Sequence, residues 1–521
     1  MNIEQFLGKK QQLKYALLKQ LLSAPEGRMS QAQLMEELET SYGTLVNLFK
    51  ETTQDIVTVQ LNVKLQLTQD RAHAQKYYQI HVHDVTALDY LLLHYLNESA
   101  PFLLLKDVIF GQKLTIEETA KQYHLSKSTL RRVIVLLNEQ LATYNVVLSM
   151  KKKLHLEGNE WGIRLFAANF LARSYGSKEW FFSCVSLQEV QNYASMVASQ
   201  FVYTDNLVND ISALYLIAVS FSRKKQTKDL FSESKQKESL YIEDTVDFQQ
   251  FLVEGSQFIS EKEPELKEKE QVTKNQVVFT LLLLNNNLSI VQKTPHFFYQ
   301  LPMQDEFSLF KLGIDLLMEI ERKLPTPLTM EEHLNLSYQF SLIAYRQLFL
   351  EKVYSIHQLS IRKVDQGTIR KIFETVSNFL YEHSQLIPDH QRLVLKEEYT
   401  QILLTQVNWL RYKPIIHIYI MSSGKSEYLY DEVLLATPRL VFNVKIDKTL
   451  NEQTDLVVSD TGFTKNLLVG SFSTPIFYWK RESSENTERF YKELSRISRR
   501  KWQDMSINRT SSVKTIVHNA N

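Results

Sequence analysis

The fold turns on Thr115–Leu141, TIEETAKQYHLSKSTLRRVIVLLNEQL. Thr115 and Glu118 have the spacing of a capping box, in which hydroxyl and carboxylate satisfy free backbone N–H groups, so a helix is expected to start there. Ala120 supplies a small side chain where two helices would cross steeply, and a three-residue turn centred on His124 leads to Leu125. Ser126 then has the chemistry to cap a second helix. Along that helix Leu130, Val133, Leu137 and Leu141 fall on one face, Lys127, Ser128 and Arg131 on the other, with Arg132 at the flank. The pattern is a helix-turn-helix whose outer face is basic.

Downstream, VVLSMKKKLHLEG (Val146–Gly158) reads as two short strands about a tip of Lys151, Lys152 and Lys153, placed where a winged helix carries its wing. From Lys121 to Lys153 seven Lys or Arg stand against one acid, Glu139, whereas residues 1–160 hold 18 basic and 17 acidic side chains. The positive charge is thus concentrated on the second helix and the hairpin, where it can meet phosphates while Arg131 or Arg132 addresses base edges. A weaker copy lies upstream in MSQAQLMEELETSYGTLVNLFKETTQDI. Ser30 and Gln33 form the box, Leu34 and Leu38 face inward, Ser41 caps the next helix, and Leu45 and Leu48 take the places of Leu130 and Val133. IVTVQLNVKLQL (Ile56–Leu67) follows as a strand and candidate wing. The expected DNA contacts are Lys127, Ser128, Thr129, Arg131, Arg132, Lys151, Lys152 and Lys153, with Tyr42, Thr44, Asn47 and Lys50 from the upstream copy. The plain alternative is a helical hairpin with an ordinary basic surface, and for the upstream copy a purely structural role.

The remainder of the 521 residues has room for three or four units. Few glycines and prolines, and i, i+3, i+4 patterns at Asp84–Leu96, Trp161–Ala172 and Leu334–Phe349, make most of it helical. The charged runs Ser222–Asp244 and Ser260–Gln276 read as solvated helix ends or loops. RKLPTPLTMEE (Arg322–Glu332) should break one helix and begin another. Beyond Arg496 the periodicity is lost and a frayed basic tail is expected. Cys184 is the sole cysteine, which excludes an intrachain disulfide and a Cys-based zinc site and suits a reducing cytosol. No signal-peptide pattern opens the chain, and runs such as VVFTLLLL are too short for a membrane span, so a cytoplasmic protein without a membrane partner is expected.

IHIYIMSSGKSEYLY (Ile416–Tyr430) raises the question of a nucleotide site, since Gly-Lys-Ser ends a P-loop. A P-loop requires glycine where Tyr419 stands, so that reading fails. What remains is a β-α-β series with a parallel sheet: KPIIHIYI, a helix, VFNVKID, DLVVSDTG, TPIFYWK and a closing helix. Ser422, Ser423, Gly424 and Ser426 form a candidate anion loop at a helix start, with packing or dimer contact as the plain alternative. No H-E-x-x-H, G-x-S-x-G or paired Cys/His spacing appears, so no enzyme, cofactor or metal site is expected.

Tandem winged helix-turn-helix motifs, a long helical middle and an α/β end resemble the Mga/AtxA-type transcriptional regulators of Gram-positive bacteria, with LTIEETAKQYHLSKSTLRRVIVLLNEQL carrying the likeness best. The resemblance implies a mainly α, multidomain chain. Its segments are winged helix-turn-helix motifs at 1–70 and 71–160, two helical-bundle regulation domains at 161–295 and 296–411, an enzyme IIB-like α/β domain at 412–498 and a flexible tail at 499–521. It further implies a homodimer that binds double-stranded DNA, activates virulence or metabolism genes, and is tuned by histidine phosphorylation from phosphotransferase-system phosphocarrier proteins. No histidine lies between Trp161 and Pro295, so the first regulation domain holds no phosphohistidine site. In the second, His333 is the first candidate by position, followed by His383 and His390. The C-terminal series resembles the enzyme IIB component of sugar transport, yet its loop lacks the phosphoryl-accepting cysteine. The alternatives are an antiterminator-like RNA-binding regulator and a phosphotransferase-sensing scaffold that does not bind DNA.

Overall fold

The computed structural model describes residues 3–69, 76–82, 86–112, 114–201, 205–223, 246–285, 308–324, 327–350, 366–387, 389–421, 426–437, 442–460, 474–479 and 486–518. The chain is mainly helical and divides into two compact units, residues 1–301 with 345–354, and residues 302–344 with 355–521.

The first unit opens with α1 (Lys9–Ser23), β1 (Arg28–Ser30), α2 (Gln31–Glu37), α3 (Tyr42–Thr58), β2 (Val63–Gln69) and β3 (Lys76–Val82). The strands form an antiparallel sheet of order β1-β3-β2, with Leu65 opposite Ile80 and Met29 opposite Tyr78. Gly27 enters β1 at φ +65°, and a Cβ there would stand 2.7 Å from the Ile80 carbonyl oxygen, so only glycine fits. The alternating run Ile56–Leu67 is not one strand, because α3 continues to Thr58 and β2 begins at Val63. Leu45, Leu48, Thr52 and Ile56 are buried at helical spacing, and burial on that face outweighs the β-propensity of Ile56 and Val57.

Next come α4 (Ala87–Asn97), α5 (Ala100–Ile109), α6 (Ile116–Gln122), α7 (Lys127–Leu141), the antiparallel hairpin β4 (Val146–Ser149) and β5 (His155–Gly158), and α8 (Glu160–Tyr175). Then follow α9 (Leu187–Phe201), α10 (Ile211–Ser222), α11 (Val246–Lys262) and α12 (Glu268–Leu284). Helix α8 is buried almost all round, as a core helix must be when it has neighbours on every side. Its Phe170 ring lies 5.1 Å from Phe6 and 5.0 Å from Phe102, while α10 and α12 also pack against α8. The segment border expected at residue 160 therefore falls beside a shared core helix, and the N-terminal motifs and the α8–α12 bundle pack as one body.

Charged groups enter that core. Glu160 accepts from Arg164 Nε (2.9 Å), Arg223 Nε (2.9 Å) and an Arg223 Nη (3.0 Å). The expected wet run Ser260–Gln276 behaves differently from its composition: Glu263 and Lys274 are buried and paired at 2.6 Å. Pairing is what makes two buried charges tolerable. Most of Ser222–Asp244 lies outside the described residues.

The second unit holds α13 (Ser308–Lys323), the first part of α14 (Met330–Leu350), α15 (Gln366–Glu382), α16 (Asp389–Gln406) and α17 (Trp409–Tyr412). The break at RKLPTPLTMEE falls between α13 and α14, as its prolines predict. After these come β6 (Ile416–Met421), α18 (Ser426–Ala436), β7 (Val444–Asp447), β8 (Leu456–Ser459), β9 (Ile476–Tyr478) and α19 (Asn486–His518). The four strands are parallel in the order β7-β6-β8-β9. Ile416, Ile418, Leu456 and Val458 share a core with Leu429 and Val433 of α18 and Phe490, Leu494 and Ile497 of α19. The frayed tail expected from residue 499 is helical backbone to His518. Residues 486–518 contain neither Gly nor Pro, and extending a helix already nucleated against a sheet costs little per residue.

Candidate nucleic-acid interface

The second helix-turn-helix is built by local chemistry. Thr115 Oγ1 accepts from the Glu118 N–H (3.3 Å) and Glu118 accepts from the Thr115 N–H (2.8 Å), so the capping box starts α6. The Thr115 backbone, then its hydroxyl, hold the Glu118 carboxyl below the usual carboxylate range. That contribution is present above the ordinary Glu value and fades as pH falls through the lower folded value. Helix α6 stops at a left-handed residue, His124 (φ 53°), and the Leu125 N–H closes onto the Ala120 carbonyl at 2.8 Å. Ser126 Oγ accepts from the Thr129 N–H (3.0 Å) and opens α7. Replacing Thr115 by Ala should cost about 1 kcal/mol, read as faster hydrogen exchange in α6.

Leu130, Ile134, Leu137 and Leu141 are the buried face of α7. Val133, expected in that row, is only half-buried, because the 3.6-residue period carries the contact stripe through Ile134 instead. Lys127, Ser128, Thr129, Arg131, Arg132, Val135, Leu136 and Glu139 are exposed. The cations occupy the first half of the helix, where the macrodipole is also positive, and Glu139 closes the outer face, so the N-terminal end is the one suited to phosphate. Lys127 Nζ lies 2.6 Å from Glu117, whose carboxyl this contact holds low. Arg131 and Arg132 are in no salt bridge among the described residues.

Lys151, Lys152 and Lys153 are exposed at the tip between β4 and β5. Lys151 leans on Glu157 (3.2 Å). The first strand of the hairpin is held to the helix by Asn138, which sequence reasoning did not single out: its Oδ1 accepts from the Leu148 N–H (2.7 Å) and its Nδ2 donates to the Leu148 carbonyl (3.3 Å). An amide in a helix seven residues past the basic turn was the only available signal.

The upstream motif repeats this construction eighty-five residues earlier. Ser30 and Gln33 form the box, Glu39 (φ 47°) takes the place of His124, the Thr40 N–H closes on Met35 at 3.0 Å, and Ser41 caps α3. Tyr42, Thr44, Val46, Asn47 and Lys50 are exposed. Lys76 on β3 reaches the Tyr42 hydroxyl at 3.2 Å, adding a cation that the linear reading missed because it arrives from a neighbouring strand. The upstream motif is tied to its neighbouring helices. Asp55 of α3 accepts from Lys14 of α1 (2.7 Å) and from Tyr95 of α4 (2.8 Å), and burial, reinforced by Asp55, pushes the Tyr95 phenol up.

In the second unit His333 sits in the first turn of α14, its Nδ1 3.1 Å from Glu321 and its side chain 39% exposed. Glu332 beside it is fixed by the Thr329 N–H (3.0 Å), the Asn408 N–H (2.9 Å) and the Tyr412 hydroxyl (2.5 Å). Burial raises its carboxyl, but these bonds outweigh burial and hold it low. His383 Nδ1 meets the Phe379 carbonyl at 2.9 Å. His390 lies in α16, its side chain outside the described residues, as are Ser422, Ser423, Gly424 and the side chain of Ser426. Among the described residues no group of three or more His, Cys, Asp or Glu could hold a metal ion, and no helix is long and apolar enough to cross a membrane.

Residues 86–171 match the Mga helix-turn-helix domain family, a span from the start of α4 into α8. A Streptococcus pneumoniae protein named "Putative trans-acting regulator" is 22% identical over 142 residues, covering 27% of this chain and 29% of that relative. The family match thus takes in α6, α7 and the β4–β5 hairpin, the helix-turn-helix segment described above.

Proposed function

We propose that the chain binds double-stranded DNA sequence-specifically as a winged-helix transcriptional regulator, with α7 entering the major groove and the lysine tip of the β4–β5 hairpin meeting the adjacent backbone. The observation that carries this reading is the capped helix-turn-helix whose exposed cations lie at the start of α7, beside a basic hairpin that Asn138 anchors to the same helix. The test is a mobility shift with labelled random-sequence duplex at several salt concentrations. Duplex binding with a steep salt slope supports it. Preference for structured RNA would favour the antiterminator-like alternative, and no nucleic-acid binding the scaffold.

The proposal extends to regulation by the phosphotransferase system in a homodimeric, cytoplasmic, non-enzymatic protein, with α8–α12 and α13–α17 as regulation domains and the C-terminal sheet as an enzyme IIB-like domain. His333 is the favoured acceptor. Glu321 at Nδ1 leaves Nε2 to accept a phosphoryl group, and the N-terminal turn of α14 favours added negative charge. Incubation with phosphocarrier proteins and phosphoenolpyruvate should give a phosphorylated peptide by mass spectrometry under conditions that preserve phosphohistidine. His333→Ala should remove the signal; its persistence would move the assignment to His383 or His390.

A further inference from the structure

The two helix-turn-helix copies share a construction but not a reading face. Thr115, His124 and Ser126 correspond to Ser30, Glu39 and Ser41, with matching caps and matching left-handed turns, so side chains at equal positions leave α3 and α7 in equal places. Where α7 exposes Arg131 and Arg132, α3 exposes Val46 (38% exposed) and Asn47. These side chains have different base chemistry. A guanidinium is matched to guanine O6 and N7, a carboxamide to adenine N6 and N7, and a small apolar group to the thymine methyl. The first turns of α7 also carry Lys127, whereas α3 carries no cation before Lys50.

We propose that the pair reads a composite, asymmetric site: a guanine-containing element under Arg131 and Arg132, and an A·T element under Asn47 and Val46. The inference rests on the DNA-binding reading. It adds that the upstream motif is a specificity reader rather than a phosphate anchor. Asp55 ties α3 to Lys14 of α1 and Tyr95 of α4, and both motifs lie in one compact unit, so a constant spacing between the two elements is expected.

The experiment is selection of bound sequences from a random duplex pool by the full chain, followed by affinity measurements on the selected site. The expected result is two unlike elements at constant spacing. Changing the A·T element should weaken binding by roughly 5- to 150-fold, and Asn47→Ala should abolish that penalty while the guanine requirement persists. The double substitution Val46→Arg with Asn47→Arg should convert the A·T element into a second guanine-containing one. Both positions are exposed, so these variants should fold. Selection of sites that hold the guanine element but no A·T element, or an Asn47→Ala protein that still requires the A·T element, would overturn the inference while leaving DNA binding in place. No enrichment of any duplex would overturn DNA binding and the inference with it.

Discussion

Alanine at Lys127, Arg131 and Arg132 together is expected to abolish the shift of duplex DNA and to leave the helical circular-dichroism signal unchanged. All three side chains are exposed, and the buried face of α7 consists of Leu130, Ile134, Leu137 and Leu141, so the helix keeps its reason to fold. Removing a cation from a phosphate should flatten the salt slope by about 0.9, and removing a bidentate arginine from a guanine should cost about 1–3 kcal/mol. The three residues should not contribute equally. Lys127 is already paired with Glu117, so its release is partly offset, while Arg131 and Arg132 have no salt bridge to give up among the described residues. The single changes should therefore rank with an arginine first and Lys127 last. A triple variant that shifts DNA like the parent would remove α7 as the reading helix.

The second large effect is structural. Glu160→Ala should destabilise the first unit by about 3–5 kcal/mol, because it strips the carboxylate from two enclosed guanidinium groups. Arg164 is fully buried, with Nη atoms on the carbonyls of Ser220 (3.4 Å) and Arg223 (3.0 Å), and Arg223 reaches the Ile109 carbonyl at 2.6 Å. Burial pulls the Arg164 guanidinium down and Glu160 pushes it back up. The cluster spans the end of α5, the start of α8 and the end of α10, so its loss should appear as accelerated hydrogen exchange across those helices together. The double variant Glu160→Ala with Arg164→Met should be less damaged than Glu160→Ala alone, since one of the two guanidinium groups that lose the Glu160 carboxylate is gone. Exchange in α8 and α10 that stays at the parent rate would show that the cluster is neutral to stability.

Much of the proposed DNA-reading site was legible in the linear chain because its rules are local. A cap is a relation between residues three apart, a turn needs one left-handed position, and a buried stripe recurs every 3.6 residues. Thr115, Glu118, Ser126 and Leu130 obey all of these within sixteen residues. The readings that changed depended on neighbours distant in sequence. Ile56 has the β-propensity of a strand residue but is buried on the α3 face, and Val133, expected inside, is displaced from the buried face by Ile134. Lys274 looked solvated because its partner, Glu263, is brought to it by the turn between two helices.

The sequence alone therefore determined the elements: two capped helix-turn-helix motifs, a helical middle, a β-α-β end without phosphate-loop glycine or cysteine, and where the basic charge lies. The tertiary structure decided what those elements share. It made α8 a core helix between the N-terminal motifs and the bundle, enclosed Arg164 with Glu160 and Arg223, clamped the lysine hairpin to α7 through Asn138, and bound the upstream motif to α4 at Asp55. The physical reason is range. Capping and periodicity act within a turn or two of chain, whereas burial and charge pairing depend on which distant residues the fold brings within a few ångströms.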